Sequence, residues 1–422
     1  MARPNITVLV EDQSFVVPFS ESGSLTRAGM VSLYGLPLNL GTTAENKTGI
    51  MEISSVGEWV ARLNSTETIN GFGAGDIGDG AITSEMPFFH TAGGEATGGT
   101  MFAGGTFARW PNGPTGAWKN EWWAAHNYLQ YGGVLVVGGT GSIENTSLTT
   151  SSTPFHDKQV PLDLVFAATG DQVGHTSNIA SFRQDCIAIC PTTQVDTTAA
   201  KHASQTEDEF NVSVHGYKKH LGINQGLRED TLDDLVKTAL AADVAGCMAR
   251  TDQVADPWWS PAGFKRGQIL GSVRLQTNPT DAQMDTMYNA KINPVATFPG
   301  EGTVLFGDKT LANSSSTLSR INVSRLFIYF KKTIGAAARD TLFELNDAET
   351  RSSFVNAVNP FLRGVMSRRG IYDYRVVCDE TNNTGSIIDS NNFVADIFVK
   401  PTKSINFIRI RFTNKNTTDS LE

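Results

Sequence analysis

SRINVSRLFIYFKKTIGAAARDTLFELNDAETRSSFVNAVNPFLRGVMSRRGIYDYRVVCDETNN, residues 319–383, reads as two amphipathic helices running into a strand. Val323, Leu326, Phe327, Phe330, Ile334 and Ala337 recur at i, i+3, i+4, i+7, i+11 and i+14, one apolar stripe on a helix. Phe354, Val358, Phe361, Leu362 and Val365 form a second stripe, with Asn346 or Asp347 placed to cap its start. Pro360 removes a backbone donor inside that second pattern and is expected to kink it. Three strands rich in Val, Ile, Phe and Tyr are predicted at Tyr372–Asp379, Asn392–Lys400 and Ser404–Phe412. In the middle one Phe393, Ala395, Ile397 and Val399 share an apolar face, and Val394, Asp396, Phe398 and Lys400 a mixed one. Lys400-Pro401-Thr402-Lys403 has the length of a hairpin connection between the last two. Two helices on a small sheet make an α+β module.

Upstream, from Leu162 to Gly263, buried apolar segments suggest an α/β layer with parallel pairing. Leu164–Ala168 and Cys186–Pro191 read as strands, Thr231–Leu240 as a helix, and Ile179–Phe182 and Val244–Arg250 as further apolar segments. AWKNEWWAAHNYLQYGG (117–133) is an aromatic-rich helix closed by Gly132-Gly133, and Val134–Val137 a buried strand. Residues 25–70 open with a strand at Ala28–Leu33 and a capped helix at Ser54–Leu63, Glu58 lying in its first turns. At Met1–Pro18, Ile6, Val8 and Val10 share one strand face, with no turn returning it to a neighbour, so it reads as an extended arm. The last strand and tail, with Phe407, Ile408, Ile410 and Phe412, look similar. A lone strand at each end invites pairing with another sheet.

Several motifs carry less than their letters suggest. Gly73-Ala74-Gly75-Asp76-Ile77-Gly78 matches G-x-G-x-x-G, but Asn70-Gly71-Phe72 before it and Asp79-Gly80-Ala81 after it supply neither the strand nor the helix that dinucleotide binding needs. It lies in a stretch, residues 71–116, with 13 glycines and no Lys or Arg before Arg109, which reads as a flexible surface insertion. Gly138–Ser142 lacks the lysine and the helix of a phosphate loop and reads as a plain turn. His202, His215 and His220 form a histidine cluster in what reads as a polar linker. Cys186 and Cys190 share one strand face as small hydrophobes without zinc-like partners. No nucleophile elbow or HExxH is present, so the sequence indicates no catalysis, no metal and no cofactor.

Length and charge bound the class. The 422 residues suffice for two or three domains. Four scattered cysteines make no disulfide framework, and the sequence is expected to have neither a signal peptide nor a membrane span, placing it in a reducing cytosol. A net charge of −9 argues against a general nucleic-acid binder. Residues 317–422 hold 15 Lys+Arg against 11 Asp+Glu and the remainder 19 against 32, so a basic end is joined to an acidic body.

GDKTL (307–311), INVSRLFIYF (321–330), FELND (343–347), PFLRGV (360–365), VVCDETNN (376–383) and IDSNNFVADIFVKPTKSINFI (388–408) together resemble the C-terminal domain of contractile tail sheath proteins, from myovirus tails and related injection machines. VAGCMARTD (244–252) and PWWSPAG (257–263) extend the resemblance upstream, the doubled Trp258-Trp259 departing from the family's usual single aromatic. The resemblance covers roughly the last 180 residues of the chain. The fold expected is multidomain, α/β and α+β: an N-terminal arm (1–22), an α/β region (23–265) with the glycine-rich insertion, a C-terminal α+β domain (266–403), and a C-terminal strand and arm (404–422). The resemblance implies a subunit polymerising with itself, in rings hexameric by family, around an inner tail tube. It would meet baseplate and tail terminator proteins, bind neither nucleic acid nor membrane, be assembled in the host cytoplasm, and contract to drive the tube through the host envelope for genome ejection. In the family the arms insert into a neighbour's C-terminal sheet, the physics of strand addition. Arg351, Arg363, Arg368 and Arg369 are the tube-facing candidates. Two alternatives stand beside this one: the sheath of a bacterial injection machine or bacteriocin, and, more distantly, a glycan- or cell-binding surface protein suggested by seven tryptophans.

Overall fold

Short runs of β-branched and apolar residues, buried on both faces, set up a parallel sheet at the centre of the chain. The computed structural model describes residues 26–32, 50–64, 89–91, 107–109, 119–139, 154–156, 158–192, 200–222, 235–313 and 316–405. The elements up to the first half of the sheet are β1 (Arg27–Ser32), β2 (Ile50–Ile53), α1 (Val56–Asn64), β3 (Phe89–Thr91), β4 (Phe107–Arg109), α2 (Lys119–Leu129), β5 (Val134–Gly139) and β6 (Leu164–Phe166). Then come α3 (Val173–Arg183), β7 (Ile187–Pro191), β8 (Asn211–His215), β9 (Tyr217–His220), β10 (Val236–Ala239) and α4 (Ala241–Val254). β11 (Arg274–Leu275), α5 (Asp281–Asn289), β12 (Ile292–Phe298) and β13 (Gly302–Leu305) follow. The chain continues through α6 (Ile321–Thr341), α7 (Ala348–Ser367), β14 (Ile371–Val377), α8 (Gly385–Asp389) and β15 (Asp396–Pro401).

Eight strands form one sheet in the order β13-β12-β8-β7-β6-β1-β5-β2. The five inner pairings are parallel, and the outer strands β2 and β13 are antiparallel to their neighbours. β6, β7 and β8 are buried along their whole length, as a sheet covered on both faces requires. The expected boundary at 266 falls inside this body, because β12 and β13 complete its large sheet and β11 its small one, β10-β9-β11. A second apolar cluster gathers Leu326, Phe330, Ile334, Phe354, Val358, Leu362, Ile371 and Ile397 between α6, α7 and the β14–β15 pair, the predicted helix stripes meeting face to face.

The expected strand at Leu164–Ala168 is β6, and Ile179–Phe182 and Val244–Arg250 lie inside α3 and α4. Asp347 caps α7, accepting from the Thr350 amide at 2.8 Å, and the helix continues through Pro360. Gly132, at φ +80°, closes α2. Four expectations are corrected. Thr231–Leu240 is not a helix over its described part: Val236–Ala239 is β10, antiparallel to β9. Leu235, Val236, Ala239 and Leu240 have helical spacing, but pairing with β9 and burial of Val236 and Thr238 override that propensity. His215 and His220 occupy no polar linker; both are buried on β8 and β9. Asn392–Lys400 enters its strand only at Asp396, after the short α8. Ser404 and Ile405 are not in a strand, and the rest of that predicted strand, with Phe407, Ile408, Ile410 and Phe412, lies outside the described residues, as do Ile6, Val8 and Val10. So does the G-x-G-x-x-G match; within the insertion, Phe89–Thr91 pairs antiparallel with Phe107–Arg109.

Candidate assembly surfaces

Helix α6 is the joint of the molecule. One face, with Val323, Leu326, Phe327, Phe330 and Ile334, enters the C-terminal cluster, while Ile321 and Ile328 belong to the core of the large sheet. Its polar side chains reach the chain just before successive parallel strands begin. Ser324 donates to the Glu209 carbonyl at 2.7 Å, ahead of β8, and Lys331 to Gln184 at 3.4 Å, ahead of β7. Lys332 pairs with Asp163 at 2.6 Å, ahead of β6, and Asp163 also accepts the Arg27 amide at 3.0 Å. Arg325 pairs with Asp252 at 2.5 Å, and the same carboxylate accepts the Thr26 hydroxyl at 2.6 Å, ahead of β1. Burial alone would raise the Asp163 carboxyl, but Lys332, the Arg27 amide and Arg325 hold it below the ordinary value. The Arg325–Asp252 pair is mostly buried, so losing either partner leaves a charge without compensation.

Beyond α6, β14 and β15 form a two-stranded antiparallel sheet. Ala395 and Ile397 are buried under the helices, and Phe398 and Lys400 are exposed, as the predicted alternation required. Among the described residues neither outer edge of this sheet has a further strand. Two strands alone are marginal, and open backbone edges accept an added one.

The four arginines part company. Arg351 is buried and donates to the carbonyl and side chain of Asn346 at 3.3 and 3.0 Å, beside the α7 cap. Arg368 pairs with Asp256 at 2.5 Å and lies 4.7 Å over the Trp258 ring, half of its side chain remaining in solvent. Arg369 stacks 5.4 Å over Trp259, and Arg363 stands exposed on α7. The doubled tryptophan thus divides its work. Both line one cleft, but Trp258 is buried in the C-terminal core beside Tyr329 and donates to the Arg368 carbonyl at 3.2 Å, while Trp259 is only half-buried against that core. Sequence reading placed the pair in the family motif and missed this division, for which the sequence offers no signal.

In an open α/β sheet, ligands are sought at the carboxyl ends of the strands where the order reverses. Here that point is β1 beside β6, and it is filled. Gln172, fully buried, accepts the Ala168 amide at 2.5 Å and donates to the Val31 carbonyl at 2.7 Å and to buried Glu121 at 2.6 Å. Behind the sheet lies a polar network that sequence reading also missed. Lys218 on β9 and Asp243 on α4, both fully buried, pair at 2.8 Å. Tyr131 donates to Asp243 at 3.1 Å and accepts the Leu270 amide at 2.8 Å. Gly246 lets the Tyr131 ring in: a Cβ there would stand 2.2 Å from the ring. Among the described residues no group of three His, Cys, Asp or Glu is placed to hold a metal ion, and no helix is long and apolar enough to cross a membrane. Burial raises the Cys186 thiol to about 12 and that of Cys190 higher still, the behaviour of inert core residues.

Comparison with known proteins adds to this geometry. Residues 173–311 match the phage tail sheath protein central domain and residues 313–415 the phage tail sheath C-terminal domain. The tail sheath protein of Vibrio phage KVP40 is 54% identical over 178 residues, which is 42% of this chain and 26% of that protein. That of Enterobacteria phage T4 is 44% identical over 255 residues, 56% of this chain and 38% of that protein. The chain therefore spans well under half the length of these relatives. In fold it is similar to the contracted sheath of an extracellular contractile injection system, PVC, with a TM-score of 0.65 at 16% identity, covering 98% of each chain. The contracted helical sheath of the anti-feeding prophage gives a TM-score of 0.65 at 15% identity, over 98% of this chain and all of that one. With both sheath domains matched in order, over more than half of its residues, the chain belongs to the phage tail sheath protein family.

Proposed function

We propose that the chain is a structural subunit of a contractile phage tail sheath. Copies stack as rings around an inner tail tube, hexameric as the family resemblance implies, and slide into a shorter, wider lattice that drives the tube through the host envelope. No nucleotide is needed, since the energy is stored at assembly in a packing that has two discrete arrangements. The subunit is placed in the virion tail, with the tube, baseplate and terminator proteins as partners. The observation that carries this reading is the two-stranded β14–β15 sheet, open at its edges among the described residues, in a chain whose family is that of tail sheaths. Arms 1–22 and 404–422 of neighbouring copies would add strands to it, their backbone bonds supplying affinity and alternate side chains register.

The α6 joint supports a division of labour. Its ion pairs and two apolar faces make the α/β body and the C-terminal module one rigid block, leaving reorientation during contraction to the arms. Arg363 and Arg368 are the proposed tube-facing side chains, held by weak, solvent-screened contacts of under about 1 kcal/mol each so that the tube can be released. The test is negative-stain electron microscopy of the chain with and without residues 1–18. Rings or tubes lost on truncation support arm exchange, and tubes that survive it remove the N-terminal arm from the mechanism.

A further inference from the structure

The turn between α6 and α7 presents an apolar knob. Phe343 and Leu345 are 86% and 77% exposed, with exposed Glu344 between them. Phe343 holds φ +71°, a left-handed conformation that costs a bulky side chain energy. The turn is nonetheless fixed: Asn346 donates to the Asn392 carbonyl at 2.8 Å and Asp347 caps α7. A strained backbone that holds two large apolar side chains in water does nothing for an isolated subunit.

At the other end of the same helical hairpin is a cleft of about 620 Å³. Its apolar walls are Trp259, Met284, Tyr288, Phe306 and Ile405, of which Phe306 is 44% and Ile405 81% exposed. Arg266 and Arg369 both stack on Trp259, at 5.2 and 5.4 Å, making that wall cationic, while the carboxylates Asp281 and Asp285 sit across from it on α5. Asn322, in the first turn of α6, and Arg369, just after α7, line the cleft, so knob and cleft stand the length of α6 apart, about 30 Å at 1.5 Å per residue. They cannot meet within one chain. Between chains a knob-in-cleft contact repeated head to tail would be heterologous and build rings or helices, whereas a reciprocal pair would stop at a dimer.

We propose that the Phe343–Leu345 knob of one copy seats in the Trp259–Phe306 cleft of a second copy, Glu344 facing Arg369. This rests on the sheath reading and adds to the arms a rigid contact. The test is a chain carrying Leu345→Cys and Phe306→Cys, assembled and mildly oxidised; the four native cysteines are buried, and each single variant serves as background. A cross-linked ladder of dimers, trimers and higher species is expected from the double variant alone. Rings or tubes without a ladder, or cross-linking that stops at the dimer, overturn the contact and leave the sheath reading standing; a chain that stays monomeric at high concentration overturns both. As a second measurement, Phe343→Gly with Leu345→Ser should melt no lower than the parent, glycine being at ease at φ +71°, while its critical concentration for assembly rises at least about tenfold, as loss of a central apolar anchor does. A variant that assembles normally but no longer binds tube protein assigns the knob to the tube and overturns the proposal.

Discussion

Replacing Lys218 by Met isolates the most demanding interaction in the α/β body. Lys218 and Asp243 have no solvent-exposed side-chain surface, and the lysine also donates to the Leu270 carbonyl at 2.9 Å. With the ammonium gone, Asp243 keeps a single donor, Tyr131, against full burial. Removing one partner of a buried pair costs about 3–5 kcal/mol, whereas replacing both by apolar residues of similar size is near neutral or stabilising. Lys218→Met is therefore expected to lose about 3–5 kcal/mol at pH 7, and Lys218→Met with Asp243→Leu to recover most of it. The loss should also depend on pH. Burial already pushes the Asp243 carboxyl up, and without Lys218 nothing cationic opposes it. The folded variant then holds a proton that the unfolded chain has released above its ordinary carboxylate value, so the variant's stability falls as pH rises, by up to about 1.4 kcal/mol per unit. Urea unfolding of the unassembled chain at pH 5 and pH 7, followed by tryptophan fluorescence, measures all three. A single variant within about 1 kcal/mol of the parent, or a double variant as unstable as the sum of its singles, would refute the reasoning.

His126, stacked on Trp122 at 5.3 Å and edge-on to Trp123 at 5.2 Å, is lowered by burial from 6.5 to about 4. Between those values the unfolded chain binds a proton that the folded chain does not, so stability is full above pH 6.5 and declines towards pH 4, and His126→Gln should flatten that slope in thermal melts. At the α6 joint, Arg325→Met should cost several times more than Lys332→Met, about 3 kcal/mol against about 1, because the first leaves Asp252 nearly buried and the second leaves Asp163 partly in water; urea titration ranks them. Gly246→Ala should lower the melting temperature by several degrees, since its Cβ meets the Tyr131 ring. Arg363→Glu with Arg368→Glu should abolish assembly on tube protein, with some loss of stability because Asp256 loses its partner, and unchanged tube binding removes these two arginines from that surface.

The C-terminal module was legible because its signals are local. The stripes from Val323 and Phe354 have helical period, Asp347 is a side-chain cap, and Ala395 and Ile397 alternate with Asp396 and Phe398. The parallel strands were legible as apolar runs, though not their order, which depends on pairings between β1, β5 and β6 across more than 100 residues. Thr231–Leu240 misled because its apolar spacing suits a helix, while the deciding partner, β9, lies across a segment whose spacing says nothing about pairing. Tyr217-Lys218-Lys219-His220 looked like polar linker for the reason that makes it informative: alternation turns Lys218 and His220 inward, and the carboxylate that makes a buried lysine tolerable stands 25 positions later on another element. The four arginine candidates show the same limit. Nothing in the sequence distinguishes Arg351, folded under its own cap, from Arg363, exposed twelve residues later on the same helix.

Because the matched family and a two-stranded sheet with open edges among the described residues both support the polymer reading, the state of the 422-residue chain at high concentration is the measurement to make. Electron microscopy of the purified 422-residue chain, alone and mixed with tail tube protein, should show stacked rings or tubes, with sheathed tubes in the mixture. A chain that stays monomeric in both, at concentrations where sheath subunits would associate, would contradict its assignment as a sheath subunit.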